Sequence, residues 1–307
     1  MAARLLTILG LVAGMSVWAI AAAPAGASFP GRNGRIAFAR DEGRGGPAVD
    51  VMSADGGTPK RLARSGDDAP APSWSADGSK LVYTAAARTS GEIYVVDAHG
   101  RHPKRLTNNR VSDTAPAWSP DGSKIAFVRN ANGNADIFVM DANGTNQVDV
   151  TNTPDADEDR PAWSPDGSLI AYSDQPHGEG IQPLEVFVMN ADGSNPHALT
   201  DEGANDQPNW SPDGSKIAYE ATIDDQPPAI YVMNADGSGK AALTSSHVDS
   251  EPSWSPDGTK IAFTSNQHEN AFDSQIDVMD ADGSNPQPLT DENGVIDRHP
   301  TWQPLTR

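Results

Sequence analysis

Three features of the sequence predict an all-β fold, a six-bladed β-propeller of four-stranded blades. A tryptophan-centred motif recurs six times, each repeat contains four short strand patterns, and the chain ends on a lone copy of the first strand. Self-similarity at a period of roughly 45 residues is typical of propeller blades, each of which needs its neighbours to bury its apolar faces. The number of repeats predicts the number of blades, the alternating apolar segments within a repeat predict its strands, and the lone C-terminal strand predicts how the ring closes.

The first feature is the spacing of the motif tryptophans, which stand 44, 45, 47, 44 and 48 residues apart. They are Trp74, Trp118, Trp163, Trp210, Trp254 and Trp302. Phe29 lies 45 residues before the first of them, in the segment "FPGRNGRIAF". We interpret Phe29 as the same position in a degraded copy of the motif.

The second feature is the order of strand and turn patterns within a unit. Strand A carries the tryptophan, an "SPDG" turn leads to strand B ("KIAF"), and strand C ("IYVMD") leads through "DADG" or "NADG" to strand D ("xxLT"). Proline presets φ near about −65° at the second turn position, and glycine takes the positive φ that follows. The repeated Asp-Gly pairs are therefore predicted to be turn residues and not catalytic acids.

The third feature is the pair of chain ends. The segment "HPTWQPLTR" is a strand A without successors, and the first unit supplies strands B, C and D. Pairing them closes the ring and removes two exposed sheet edges. We predict one propeller domain over 28–307, with one blade shared by 29–65 and 298–305 and the others at about 70–110, 114–154, 159–202, 206–246 and 250–292.

The N-terminus has the pattern of a secretory signal peptide over residues 1–27. Arg4 is followed by the apolar run Leu5 to Ile20 and by the small-residue site Ala25-Gly26-Ala27. The alternative is an uncleaved membrane anchor. No other stretch is apolar for long enough to cross a bilayer. We therefore expect an extracytoplasmic protein, periplasmic or secreted, with no stable membrane insertion once the signal is removed.

Composition limits the chemistry and the partners. There are no cysteines, which excludes disulfides, cysteine metal sites and cysteine nucleophiles. Without Arg4, 21 basic residues face 42 acidic ones, a formal charge of −21. Such a surface repels nucleic acid and attracts basic partners or divalent cations. The alternative is that the charge serves solubility alone.

The repeated words "SPDGSKIAF" and "IYVMNADG" resemble those of the TolB-type propeller family, also known as the WD40-like PD40 repeat. The resemblance covers nearly all of residues 29–305 and implies a propeller that binds protein segments at the mouth of its channel. TolB itself carries an α/β domain before its propeller, whereas here the repeats follow the predicted signal almost directly. The resemblance therefore does not carry the Tol–Pal envelope role over to this chain.

The variable strand B–C connections predict a functional face, which the strand D–A connections share. An acidic residue stands three to six positions before each motif tryptophan, and we expect these acids to form a ring at the channel mouth. They are Asp68, Asp113, Glu158, Asp159, Asp206, Asp249, Glu251 and Asp297. The ring could attract a basic segment or hold Ca²⁺ or another divalent cation. Alternatively, the acids bond to turns and neighbouring backbone, with Arg160 and Arg298 neutralising part of them.

Catalytic motifs are absent from the sequence: it has no G-x-S-x-G, H-E-x-x-H or P-loop, and we assign no catalytic residue. His177, His247, His268 and His299 fall on the predicted loop face. Convergence of two of them with a ring acid would indicate a metal site. Two segments, 130–136 and 155–159, faintly resemble calcium loops, but neither has the glycine followed by a distant glutamate of an EF-hand.

These features favour an exported binding module, expected to be monomeric, that recognises a protein segment or cell-envelope component at its acidic loop face. One alternative is an enzyme on the same scaffold, such as a metal-assisted lyase or hydrolase acting on a polysaccharide or ester. A second alternative is a structural scaffold stabilised by a cation. Beyond a possible Ca²⁺ or other divalent cation, the sequence implies no cofactor.

Overall fold

A computed structural model of the chain describes residues 29–305, except 44–45, 67–69, 88–89, 179–181, 225, 246, 267–272 and 293. The predicted signal peptide, Asp68 and His268 lie outside the described residues. Within the described ranges the chain forms 24 strands arranged as six four-stranded antiparallel sheets, with no helix. No helix among these residues could therefore span a membrane.

Each of the first three blades runs from an inner strand beside the channel to an outer strand at the rim. Blade 1 consists of β24 (Ile296–Leu305), β1 (Arg32–Asp41), β2 (Ala48–Ser53) and β3 (Gly56–Arg64). Blade 2 consists of β4 (Ser73–Trp74), β5 (Lys80–Ala87), β6 (Ser90–Asp97) and β7 (Lys104–Arg105). Blade 3 consists of β8 (Ser112–Trp118), β9 (Lys124–Ala131), β10 (Asn134–Asp141) and β11 (Val148–Asp149).

The remaining three blades follow the same order along the chain. Blade 4 consists of β12 (Ala156–Trp163), β13 (Leu169–Pro176), β14 (Glu185–Asn190) and β15 (His197–Ala198). Blade 5 consists of β16 (Ala204–Trp210), β17 (Lys216–Thr222), β18 (Ala229–Asn234) and β19 (Ala241–Ala242). Blade 6 consists of β20 (Val248–Trp254), β21 (Lys260–Asn266), β22 (Gln275–Asp280) and β23 (Gln287–Pro288).

The ring closes through β24, which pairs antiparallel with β1 and places Trp302 opposite Ile36. The predicted six-bladed fold and its closure by the C-terminal strand are confirmed. Phe29, however, does not occupy a strand A position, because β24 already fills that place. It is buried, lies in the apolar cluster of Trp118 and lines the central channel. The neighbouring Gly31 N–H donates to the Pro256 carbonyl at 3.1 Å, which attaches this segment to blade 6.

The hydrophobic core lies between the blades. Trp118 of blade 3 packs in one cluster with Val82 and Ile93 of blade 2, and the other motif tryptophans repeat this arrangement. Polar contacts join the same surfaces: the Trp302 indole N–H donates to the Ser253 carbonyl at 3.1 Å, across the joint between blades 1 and 6. Each tryptophan therefore fixes its strand A against the preceding blade.

The "SPDG" turns hold each A–B hairpin by a repeated set of hydrogen bonds. In blade 3 the Ser119 hydroxyl donates to Asp121 Oδ1 at 2.6 Å, and the Ser123 N–H donates to the same oxygen at 2.9 Å. Gly122 has a φ of 69°, which L side chains rarely adopt. The hydrogen bonds from Ser119 and Ser123 outweigh burial and lower the pKa of Asp121. These aspartates act as turn residues.

We expect that replacing Trp302 with alanine lowers the free energy of unfolding by about 3–5 kcal/mol, because the change removes a large buried side chain at the joint that closes the ring. Urea unfolding monitored by far-UV circular dichroism measures this loss. Val148 is exposed, so Val148→Ala serves as a control that should change stability by less than about 0.5 kcal/mol. A Trp302→Ala protein as stable as this control would contradict the proposed closure.

Candidate functional site

The innermost strands surround a central channel with a volume of about 170 Å³. Its wall comes from the same segment of every blade, the stretch from the third residue before the motif tryptophan to the tryptophan itself. Among the described residues, Phe29 and Pro256 also line the channel from outside these six segments. The channel is therefore built almost entirely from strand A.

One residue of each blade enters this wall three positions before the motif tryptophan, and in blades 1 and 3 to 6 it lies at a β-bulge of strand A. In blades 3 to 6 the strand pairing shifts between the fourth and the first residue before the tryptophan. The residue three before the tryptophan has a φ between 34° and 57° in all six blades, and a proline follows it. These residues are Ala71, Ala115, Arg160, Gln207, Glu251 and His299. Positive φ at six non-glycine residues is uncommon, and bulges of this kind re-aim a side chain.

The six bulge residues make the channel asymmetric. Blades 2 and 3 contribute two alanines, whereas blades 4, 5, 6 and 1 contribute Arg160, Gln207, Glu251 and His299 in order around the ring. One half of the wall is therefore small and apolar, and the other half carries charge and hydrogen-bonding groups. We refer to the four polar bulge residues, together with Asp159, Asp206 and Glu220, as the polar arc.

Glu251 and His299 form the tightest pair of the polar arc. His299 Nδ1 lies 3.0 Å from Glu251 Oε1, and the His299 backbone N–H donates to Oε2 at 2.6 Å. Thr264 donates a further hydrogen bond to Oε2 at 2.6 Å. Burial acts to raise the pKa of Glu251, but the charge and hydrogen bonds of His299 outweigh it and lower the pKa to about 2. Glu251 is thus held as a carboxylate.

Glu220 lies beside this pair on β17, directly opposite Asp206 in the strand pairing. The Gln207 side-chain amide donates to Glu220 Oε2 at 3.3 Å. Burial, reinforced by the charges of Asp206 and Glu251, raises the pKa of Glu220 to about 7. Burial also raises the pKa of Asp206, whose carboxylate accepts a hydrogen bond from Ser173 of blade 4.

Arg160 is the one cation of the polar arc apart from the titratable His299. Its Nε lies 3.5 Å from Asp159 Oδ2. Burial opposes the charge of the guanidinium, but the charges of Asp159, Glu251, Asp206 and Glu220 outweigh burial and raise the pKa of Arg160. Four carboxyl groups therefore surround one arginine, so the arc is acidic and becomes more negative as Glu220 loses its proton near pH 7.

The predicted ring acids divide into two sets. Asp159, Asp206 and Glu251 belong to the polar arc; Glu251 lines the channel, and the other two directly precede the bulge residues Arg160 and Gln207. The acids five positions before the tryptophan do not: Asp113, Glu158, Asp249 and Asp297 are each at most 3% exposed, and none of them lines the channel. Asp68 lies outside the described residues.

The buried acids bond within their own blades. Arg129 holds Asp113 through two hydrogen bonds of 2.7 and 2.9 Å, and Ser265 donates to Asp249 at 2.6 Å. Thr153 donates to Glu158, and Arg40 Nη1 lies 3.5 Å from Asp297 Oδ2. Three of these contacts join the start of strand A to strand B of the same blade, and the fourth joins strand A to the D–A connection.

The predicted histidines do not converge. His177 Nε2 contacts Asp157 at 3.1 Å on blade 4, and His299 contacts Glu251 across the joint between blades 6 and 1. His247 is exposed, and His268 is outside the described residues. In the part of the chain that the structure describes, no three His, Asp or Glu side chains are grouped so that they could hold a metal ion.

Gln207 and Glu220 are the residues of the arc that the sequence did not indicate. The sequence signal that could have indicated the channel residues is the position three residues before each motif tryptophan. It reads Ala, Ala, Arg, Gln, Glu and His, and a proline follows it every time. A position that varies inside an otherwise repeated motif, next to a proline that disturbs strand pairing, is where a repeat protein can change its binding surface.

The family model of the TolB beta propeller domain, PD40, matches residues 31–306, which is most of the chain. The chain belongs to the TolB β-propeller domain family. The crystal structure of TolB from Acinetobacter baumannii superposes with a TM-score of 0.75 at 25% sequence identity. That comparison covers 88% of this chain and 67% of the other.

Two further solved structures share the fold. A structure assigned as TolB from Agrobacterium tumefaciens has a TM-score of 0.66 and 22% identity, covering 88% of this chain and 99% of the other. A chain of a nidogen–laminin complex has a TM-score of 0.67 and 13% identity, covering 88% and 98%. No curated protein sequence matches the chain.

Two carboxyl groups, the buried Glu158 and the half-buried Glu220, should make folding stability depend on pH. Burial raises the pKa of both Glu158 and Glu220 from an ordinary 4.5 to about 7. The folded state thus binds these protons more tightly than the unfolded chain does. Their stabilising contribution is complete below pH 4.5 and is lost as the pH rises through about 7. We expect the fall in Tm between pH 5 and pH 8 to be smaller in Glu158→Gln/Glu220→Gln than in the wild type.

The control for this experiment is Glu92→Gln. Glu92 is also buried, but Arg105 lies 2.6 Å from it and Thr107 donates a hydrogen bond of 2.6 Å. Removing its charge leaves the Arg105 guanidinium without its carboxylate, so this variant should lose stability at both pH values. Differential scanning calorimetry measures all three proteins. An unchanged pH dependence in the double variant would show that neither carboxyl group is protonated in the folded state.

Proposed function

We propose that this chain is an exported binding module that takes a cationic segment of a partner protein or cell-envelope component into the acidic half of its channel. The observation that carries the proposal is the asymmetry of the bulge residues. Four consecutive blades direct Arg160, Gln207, Glu251 and His299 into the channel, while the other two contribute alanines. Packing of the blades alone does not require polar residues on one half of the channel wall and alanines on the other.

The charges of the polar arc favour a cationic ligand. One arginine is outnumbered by four carboxyl groups, and Glu251 is held ionised. A lysine, an arginine or a free N-terminus of the ligand would meet Glu251 in the channel wall, with Asp206 and Glu220 behind it, in a partly desolvated site where charge pairs are stronger than in water. The small volume, about 170 Å³, suits a side chain or chain terminus and not a folded domain.

The family comparisons agree with a binding role. The TolB domain family covers most of this chain, and one structural neighbour comes from a complex of nidogen with laminin. Both support a propeller that binds protein. Of the histidines that a metal-assisted enzyme would need, His177 and His299 lie on different blades and pair with different acids. We therefore propose the binding module in preference to an enzyme.

Selection from a random peptide library tests the binding proposal. We expect peptides enriched on the wild-type protein to contain lysine or arginine. At pH 8, above the pKa of about 7 of Glu220, we expect Asp206→Asn/Glu220→Gln to bind them at least roughly tenfold more weakly, since two acidic groups beside Glu251 are removed. Isothermal titration calorimetry with the enriched peptides measures the change in affinity.

The matched control is Asp192→Asn/Asp236→Asn, which removes two exposed carboxylates from C–D turns outside the channel. It changes the net charge equally and should leave the affinity for these peptides unchanged. Equal weakening in both double variants would assign the effect to net charge. Failure to enrich any peptide would favour the structural scaffold.

Export is tested separately by expressing the full chain in a bacterium and sequencing the N-terminus of the mature protein. We expect a sequence that begins at Ser28, because Ala25-Gly26-Ala27 forms a small-residue cleavage site. An intact N-terminus in the membrane fraction would indicate the uncleaved anchor.

A further inference from the structure

The basic residues of the chain are concentrated in its first two blades. Residues 29–110 carry 13 Lys and Arg against 9 Asp and Glu, whereas residues 111–307 carry 8 against 33. Blades 1 and 2 are thus close to neutral or positive, and the other four blades are strongly acidic. Such a difference in charge between two parts of one ring suggests that the two parts bind partners of opposite charge.

The outer strands of these two blades carry the same basic tetrapeptide. "PKRL" occurs at 59–62 on β3 and at 103–106 around β7. The matching tetrapeptides of the other blades are "QVDV" (147–150), "PHAL" (196–199), "KAAL" (240–243) and "PQPL" (286–289). Lys60 and Lys104 therefore occupy one repeat position on neighbouring blades, where the other blades have Val, His, Ala and Gln.

The two residues of each Lys-Arg pair behave differently. The arginines are neutralised inside their own blades: Arg61 lies 3.1 Å from Asp50, and Arg105 lies 2.6 Å from Glu92. The lysines are exposed. Lys104 Nζ donates to the Asn143 carbonyl at 3.1 Å, and Lys60 forms no ion pair with another described residue. The lysine charges thus face solvent, where a partner can reach them.

Strand β3 also differs from every other outer strand in length. It spans nine residues, none of them buried, whereas the outer strands of the other blades span two. It is the edge of its sheet and pairs with β2 on one side. Its outer side therefore presents backbone N–H and C=O groups to which a further strand could bind, except at Pro59, which has no N–H, and at the Leu62 carbonyl, against which Gly100 packs.

The basic segment of blade 2 lies directly beside this edge. Gly100 is so close to Leu62 of β3 that a Cβ at this position would be 2.4 Å from the Leu62 carbonyl oxygen. The exposed Arg101 and Lys104 follow Gly100 in the chain. Strand β3, with its own exposed Arg64, and the basic turn of blade 2 therefore form one continuous surface.

Protection of an edge against aggregation does not account for this surface. Lysine and proline commonly defend exposed edges, and Pro59 and Lys60 on the long β3 fit that role. Strand β7 is only two residues long and has little edge to defend, yet it carries Lys104 at the same position. The shared feature of the two blades is the outward positive charge.

We propose that an extended acidic segment of a partner protein binds here, adding to β3 as a fifth strand and placing its carboxylates against Lys60, Arg64 and Lys104. The open strand edge favours a polypeptide over a polysaccharide or a lipid headgroup, because only backbone amides can continue the ladder. The net charge of the whole chain would repel a broad anionic surface such as a membrane. This site is opposite in sign to the channel and independent of its function.

The probe is a synthetic peptide in which glutamate alternates with valine, and fluorescence polarisation at low salt measures its affinity. We expect Lys60→Ala/Arg64→Ala/Lys104→Ala to weaken binding roughly tenfold, since three charges are lost. The control removes three exposed or half-exposed cations from the acidic blades: Lys216→Ala, Lys240→Ala and Lys260→Ala. Both variants have the same net charge, so equal weakening in the control would overturn the proposal.

Two further probes distinguish the mode of binding and the kind of partner. A peptide N-methylated at alternate residues cannot continue a strand ladder and should lose binding; equal binding would overturn the fifth strand. Polygalacturonate and phosphatidylglycerol vesicles should bind more weakly than the peptide. Equal or tighter binding of either, with the same loss in the triple alanine variant, would assign the surface to a polyanion or a membrane. No binding of the unmodified peptide would also refute the proposal.

Discussion

The packing of each motif tryptophan into the preceding blade is the contact on which this ring depends. It fixes the part of strand A that carries the tryptophan. Trp302 makes the same contact at the joint between the last and the first blade. Because the tryptophan fixes the register of strand A, the positive-φ residue three positions earlier lies at the same level along the channel in every blade. The channel wall is then set by one variable residue per repeat. Stability and the candidate site thus rest on the same short segment, from the bulge to the tryptophan.

The sequence predicted the repeat architecture well because turns and core positions recur with fixed spacing. It predicted less of the site, for a physical reason. The acids were selected by charge and by distance from the tryptophan, but the bulge changes which residues face the channel. Asp113 and Glu158 accordingly lie inside their blades, while Glu251, three residues before its tryptophan, lines the channel. Phe29 was misplaced because its spacing matched the repeat, although the closing strand already supplied Trp302.

Carboxyl groups of similar burial behave differently here according to their neighbours. His299 and Arg160 hold Glu251 ionised, whereas burial beside other acids raises the pKa of Glu220 and Glu158 to about 7. The polar arc thus combines a fixed negative charge with one that changes near neutral pH. At the outer edge of blades 1 and 2 the charge has the opposite sign and is exposed. One scaffold therefore presents two electrostatically distinct surfaces, each made from positions where the repeat varies.

Amide hydrogen exchange with and without trilysine tests the central claim, that the acidic half of the channel is the binding site. The account predicts that the peptide slows exchange around residues 159–160, 206–207, 251 and 298–299, where strand A carries the polar arc, and leaves the "SPDG" turns unchanged. Slower exchange confined to the turns, to the alanine half of the channel around 71 and 115, or to none of these segments would contradict it.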